Sequence, residues 1–436
     1  MITPATTSIQ LLQRQAASLL LYQNVLSGSV GTAFINLLHT FRHGDPDGLN
    51  CLRAYGSWFK ALAATGQTWQ NYLLQQILLD NNPFSKQAQL TPLEKISPTL
   101  IAAAQHDLQA LQGLYQCSSE QLYHWLQVAS QQSTYSIPWQ QEQEEQVFAS
   151  VGSKLQQLDN WEEAVADLAA YYRKQGTGLF AQYYALRWHS TQLMGIPHPD
   201  PIQLTELVGY ESQKTTLCKN TELLLAGYPA LHVLLYGSRG SGKSSLVKGL
   251  LAKYSDRSLR IVEVAKSDLR VLPEIVEQLR DVPQKFIIFV DDLSFEEDDD
   301  AFKALKVVLE GNVTARPPNV VVYATSNRRH LIREFFADRP LPRDADEVQA
   351  WDTMQEKLSF SDRFGLTLTF EQANQDTYLK MVRHLAELRG ISLNQEELKY
   401  KALQWATLHN GRSGRTARQF IDFLQGNLAY GGFGES

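Results

Sequence analysis

A strand-like apolar run, Leu231–Tyr236, passes without a break into Gly237-Ser238-Arg239-Gly240-Ser241-Gly242-Lys243-Ser244, and a helical pattern opening Ser244-Ser245-Leu246-Val247 comes next. No other feature limits the fold as much. The spacing G-x-x-x-x-G-K-S uses glycine so that the backbone can wrap an anion with its N–H groups turned inward. The helix after the loop adds the positive end of its dipole. In that arrangement Gly237 to Ser245 form a phosphate cradle, Lys243 reaches the outer phosphates, and the Ser244 hydroxyl is a ligand for Mg²⁺. Chance alone gives such a match about once per hundred chains of this length, and the strand–loop–helix setting makes it rarer. The expected ligand is ATP with Mg²⁺.

A second apolar run, Phe286–Val290, ends in Asp291-Asp292. Acids at the C-terminal end of a parallel strand lie where ligands bind. Asp291 is expected to hold the metal, directly or through water, and Asp292 to polarise an attacking water. Alone, an apolar run followed by Asp is equally a strand meeting a turn. Together with the glycine-rich loop it reads as a Mg²⁺ site.

The rest of the chain arranges itself around these two motifs. Its 436 residues suffice for two or three domains. The first 190 are rich in Gln, Leu, Ala, Tyr and Trp, with helix-spaced apolar positions such as Leu122, Trp125 and Leu126, and read as a helical bundle. The polar tract at 140–146 reads as solvated helix or loop. Alternate prolines at Pro197, Pro199 and Pro201 predict an extended linker. Beyond it, Leu231–Tyr236, Leu259–Val264, Phe286–Val290 and Asn319–Ala324 alternate with helical stretches, the pattern of a parallel α/β sheet. After Phe370 only helical pattern remains. The expected division is therefore a helical domain at 1–195, an α/β nucleotide-binding domain at 196–372 and a helical lid at 373–436.

With 40 Lys+Arg against 46 Asp+Glu, the net charge of −6 gives no global field that would favour nucleic acid. Cys51, Cys117 and Cys218 are widely spaced and read as free thiols in a reducing compartment. The opening residues lack the basic start and apolar core of a signal peptide, and no apolar stretch is long enough to span a bilayer. A cytoplasmic protein is expected.

Several phrases together resemble the AAA+ superfamily. Leu207-Val208-Gly209-Tyr210-Glu211 resembles the segment that flanks adenine, implying contacts from Val208 and Gly209. Tyr323-Ala324-Thr325-Ser326-Asn327 resembles the sensor 1 strand, whose Asn327 would orient the hydrolytic water, and Ser361-Asp362-Arg363-Phe364-Gly365 resembles an arginine-finger turn. Gly414-Arg415 resembles sensor 2 in a C-terminal lid. More closely, LVGYE, GSRGSGKSSLVK, VDDLSFEEDD, YATSNRRHL, EKLSFSDRFGL and GRSGRTARQF resemble a bacterial family of AAA+ ATPases known as domain of unknown function 815, over about residues 170–430. The resemblance implies ATP binding, Asp292, Asn327, Arg363 and Arg415 as catalytic groups, and self-association with Arg363 supplied in trans. It implies no settled cellular task. Two departures stand out: Asp292 occupies a position where most AAA+ proteins have Glu, and Ala265-Lys266-Ser267-Asp268-Leu269 replaces the aromatic–apolar–Gly pore loop of threading unfoldases.

Bland readings stand beside the sharp ones. Arg363 is a finger, or half of an ion pair with Asp362 or Glu356. Arg328 and Arg329 touch phosphate across a subunit boundary or solvate a helix start. Arg415, with Arg418 supporting it on the same helical face, reaches the nucleotide or belongs to a basic outer face. The acidic run at 296–300 caps a helix or binds a partner. Gly176-Thr177-Gly178 reads as a helix break. Function is expected to be ATP-driven remodelling or loading of a macromolecular assembly, with an unknown protein client held by the N-terminal domain. The alternatives are a nucleotide-gated scaffold with negligible turnover and a DNA-dependent helicase loader.

Overall fold

The computed structural model describes residues 4–43, 47–130, 137–139, 150–294, 300–310, 316–327, 359–409 and 411–430. The tract at 140–146, Arg328, Arg329, Glu356 and acidic residues 296–299 lie outside the described residues. The chain forms two compact units, Met1–Gln182 and Tyr183–Ser436. The first is helical. Its core is built on aromatic side chains that the sequence spaces along helix faces: Phe34 stacks on Trp69 with ring centroids 4.1 Å apart, and Trp58, Trp161 and Tyr172 are fully enclosed. Asp107, also buried, accepts the backbone N–H groups of Leu20, Leu21 and Tyr22 at 2.7–3.0 Å, so one carboxylate in the core satisfies three donors of the turn. Gly176, at φ 76°, closes the helix Val165–Gln175, and Gly178 opens the next, so the Gly-x-Gly is a helix break.

Among the described residues, the second unit holds a seven-stranded sheet in the order β2-β1-β4-β5-β6-β3-β7. The strands are β1 Ala185–His189, β2 Gln192–Gly195, β3 Val233–Gly237, β4 Leu259–Glu263, β5 Lys285–Val290, β6 Val320–Ser326 and β7 Leu366–Phe370. Every pairing is parallel except β1 with β2. The division at 182 differs from the boundary expected at 195. The cause is the short strand β1, which pairs with β4 through Ala185↔Ile261, Leu186↔Val262 and Arg187↔Glu263. It then turns back through Ser190 and Thr191, both at positive φ. Alternation of buried and exposed residues over five positions is too brief a signal beside a helical neighbourhood.

The four long apolar runs do form the central strands, and β5 and β6 are buried almost throughout. Register then sets the geometry of the strand ends. Tyr236 on β3 lies beside Ser326 on β6, and Val290 on β5 lies beside Ala324. The chain therefore leaves β3, β5 and β6 at neighbouring points on one edge, which brings Gly237, Asp291 and Asn327 together. Three helices, Gln375–Leu388, Gln395–Leu408 and Gly414–Ala429, pack around Tyr378, Val382, Ala402, Phe420 and Ile421. Each begins at a side-chain cap, Asn374, Asn394 or Ser413. The second unit is thus an α/β core on a mostly parallel sheet, followed by a three-helix C-terminal lid. No described helix is long and apolar enough to cross a membrane, and Cys51, Cys117 and Cys218 are buried and free of disulfides.

His232 precedes β3 and is 4% exposed; its Nδ1 accepts the N–H of Val322 at 2.9 Å. Burial, with a further push from Arg316, lowers its pKa to about 3. A histidine whose folded pKa lies below its unfolded value gives stability that is complete above about pH 6.5 and is lost as pH falls toward 3. Between pH 7 and pH 5 this one group should cost about 2 kcal/mol. Urea unfolding at the two pH values should show that loss in the wild type, and His232→Asn should lose about 2 kcal/mol less over the same interval.

Candidate nucleotide site

The loop between β3 and the helix Lys243–Tyr254 takes its path from glycines. Gly237, Gly240 and Gly242 have φ of 140°, 73° and 87°. At Gly237 an added Cβ would lie 1.9 Å from the carbonyl oxygen of Phe370, and the same oxygen accepts the Ser238 N–H at 3.0 Å. The start of the loop is thus pinned to the end of β7. Gly240 meets the lid: its carbonyl accepts the Arg415 N–H at 3.2 Å, and a Cβ there would be 2.9 Å from Ser413 Oγ.

Lys243 is 7% exposed. Its ammonium donates to the carbonyls of Gly237 at 2.9 Å and Ser238 at 2.8 Å, and reaches Asn327 Oδ1 at 3.3 Å. All three partners are neutral. Burial lowers the Lys243 pKa and Arg415 lowers it further, while Asp291 and Asp292 pull it the other way. A cation held this way is hydrogen-bonded but not neutralised, and an anion in the loop would offset its burial.

Facing it, Ser244 Oγ donates to Asp291 Oδ1 at 2.6 Å, and Thr325 Oγ1 donates to the same oxygen at 2.5 Å. Asn327 Nδ2 donates to Asp292 Oδ1 at 2.6 Å, so one amide touches both Lys243 and Asp292. Asp292 itself sits at φ 50°, a conformation that Asp tolerates better than most residues. A hydroxyl and a carboxylate in contact are the hard oxygen donors that Mg²⁺ takes alongside phosphate oxygens and water. With the buried Lys243 ammonium and the glycine cradle, these residues fit a metal–triphosphate group.

The loop, the strand ends and the lid enclose a cleft of about 570 Å³, within the range of small-molecule sites. Arg239 to Ser245, Asp291, Asp292 and Asn327 line its polar end; Val208, Tyr210, Phe370, Met381 and Leu385 supply apolar wall, and Arg415 and Arg418 reach in from the lid. Arg418 is paired with Glu206 at 2.8 Å. Gly209 is not part of the lining; at φ 99° it packs against Thr377 and Met381. Gly237 and Ser238 serve the cleft from behind, through Lys243. Arg363 is absent from the lining and forms an ion pair with Glu310, 53 residues away, a partner that sequence proximity does not suggest. Thr325, Glu206 and Lys214 also reach the cleft. Thr325 belongs to the phrase that resembles sensor 1, whereas Glu206 and Lys214 carry no local signal.

The family model described as "Protein of unknown function (DUF815)" matches residues 181–428. The chain belongs to that family. The matched span starts two residues before the second unit and takes in its sheet, cleft and lid. No curated protein matches the chain. Among solved structures, it is similar to the Thermotoga maritima RuvB Holliday junction branch migration motor at 14% identity and a TM-score of 0.31, covering 51% of this chain and 72% of that one. A point mutant of that RuvB, with glycine in place of a proline, gives 16% identity, a TM-score of 0.37, and coverage of 53% and 67%. Another, with arginine in place of a lysine, gives 14%, 0.33, and coverage of 52% and 73%.

Gly237→Ala places a methyl group against the Phe370 carbonyl at a backbone angle that Ala disfavours. It should destabilise this unit of the DUF815 protein by more than about 2 kcal/mol, read as a lower midpoint in thermal unfolding. An unchanged midpoint would mean the loop is not anchored at β7.

Proposed function

We propose that this DUF815 protein binds Mg-ATP in the cleft and hydrolyses it when subunits assemble, using the cycle to remodel or load a macromolecular complex. The observation that carries the reading is Lys243, an ammonium buried on neutral oxygens next to the Ser244–Asp291 pair. In this reading Lys243 and the loop N–H groups bind the phosphates, and Ser244 and Asp291 hold Mg²⁺. The metal, when bound, neutralises phosphate charge and polarises the terminal phosphoryl group. Asp292 and Asn327 orient the attacking water, and Arg415 senses the nucleotide from the lid. The apolar wall at Val208, Tyr210 and Met381 suits a purine base.

Arg363 belongs to the site of a neighbouring subunit. Its position outside its own cleft lining supports this role, and Glu310 holds it until a neighbour's phosphate competes. The protein is then a self-associating cytoplasmic ATPase, and its first unit recruits a protein client. Turnover per subunit should rise steeply with protein concentration, because each site is completed by a partner. Arg363→Ala should leave Mg-ATP affinity within about twofold and lower turnover by about 10³. Asp292→Asn should bind Mg-ATP and lose turnover by about 10² or more.

A second reading is a nucleotide-gated scaffold that binds ATP and hardly turns it over. The Asn327–Asp292 hydrogen bond favours it, since it occupies the acid that would activate water, and Asp has a shorter reach than Glu. Bound ATP with no turnover at any protein concentration would select the scaffold over the motor.

A further inference from the structure

We propose that Thr325 positions both acids of the metal site; the proposal rests on the Mg-ATP reading. The backbone of β5 and β6 pairs regularly up to Val290 and Ala324, and pairing resumes where the Leu293 N–H donates to the Thr325 carbonyl at 2.7 Å. Asp291 and Asp292 form an excursion between these two tie points. The Thr325 side chain, 2% exposed, fills it.

Its hydroxyl has one proton to donate and lone pairs to accept with, and the excursion uses both. The proton goes to Asp291 Oδ1 at 2.5 Å, and the Asp292 N–H donates to Oγ1 at 3.0 Å. The first bond fixes the carboxylate that faces Ser244. The second holds Asp292 at its φ of 50°, from which its own carboxylate meets Asn327. Without the hydroxyl, the Asp292 N–H is left with Asp291 Oδ1 at 3.2 Å, an oxygen that a metal would also claim. Both bonds of the hydroxyl go to the two acids, so Thr325 acts on the metal site through them.

The test compares Thr325→Val, which keeps the shape and removes the hydroxyl, with Thr325→Ser, which keeps the hydroxyl. ATP affinity is measured with Mg²⁺ and with EDTA. In Thr325→Val the gain in affinity due to Mg²⁺ should shrink about tenfold or more, as when a residue orienting a metal ligand is removed. Affinity in EDTA should change by less than about twofold, and Thr325→Ser should restore most of the gain. Equal Mg²⁺ gains in wild type and Thr325→Val would overturn the positioning role while leaving Mg-ATP binding intact. So would a Thr325→Ser as impaired as Thr325→Val, since packing would then explain the loss. A wild type indifferent to Mg²⁺ would remove the Mg-ATP reading and this proposal with it. Should Thr325→Val fail to fold, Thr325→Ala against Thr325→Ser gives the same comparison.

Discussion

The buried ammonium of Lys243 is the interaction on which the rest of the second unit depends. It lies where the loop after β3, the end of β6 and the acids after β5 converge, and neutral oxygens accept its hydrogen bonds. A charge so buried is costly, and the nearby Asp291 and Asp292 offset that cost only in part. The fold bears this cost because each contributor is fixed elsewhere: the loop at the Phe370 carbonyl, the acids at Thr325, and the lid at Gly240. The polar end of the cleft is consequently held in place by contacts outside it, which under the proposed Mg-ATP reading limits the reorganisation needed on binding.

The lid contributes a different kind of order. The Arg415 N–H reaches the loop directly, and Arg418 bonds to Glu206 on the core side of the cleft. His384 adds a contact to the Thr205 carbonyl at 2.6 Å. These contacts join the lid to the segment before the P-loop and to the loop itself. Under the proposed Mg-ATP reading, a change at Gly240 has a short physical route to the lid through the Arg415 N–H.

What depends on contiguous residues is legible in the sequence. The cradle from Gly237 to Ser244 and the acids Asp291 and Asp292 can be read because strand, loop and chemistry are adjacent in the chain. The central strands can be read because burial on both faces leaves an uninterrupted apolar run. β1 and β2 escape because their few residues gain meaning only by pairing with β4. The role of Thr325 is hidden for a related reason: its hydroxyl matters through the register between β5 and β6, which no local pattern specifies. Arg363 is marked by its phrase, but its bond to Glu310 spans 53 residues and owes nothing to local spacing.

The most direct test is a calorimetric titration of the full chain with Mg-ATP, wild type against Lys243→Ala. Saturable binding by the wild type, weakened by about a hundredfold or more in the variant, is the predicted result for loss of a charge-assisted phosphate contact in a buried site. Equal affinity in two folded proteins would contradict the account, because the buried ammonium would then have no anion to hold.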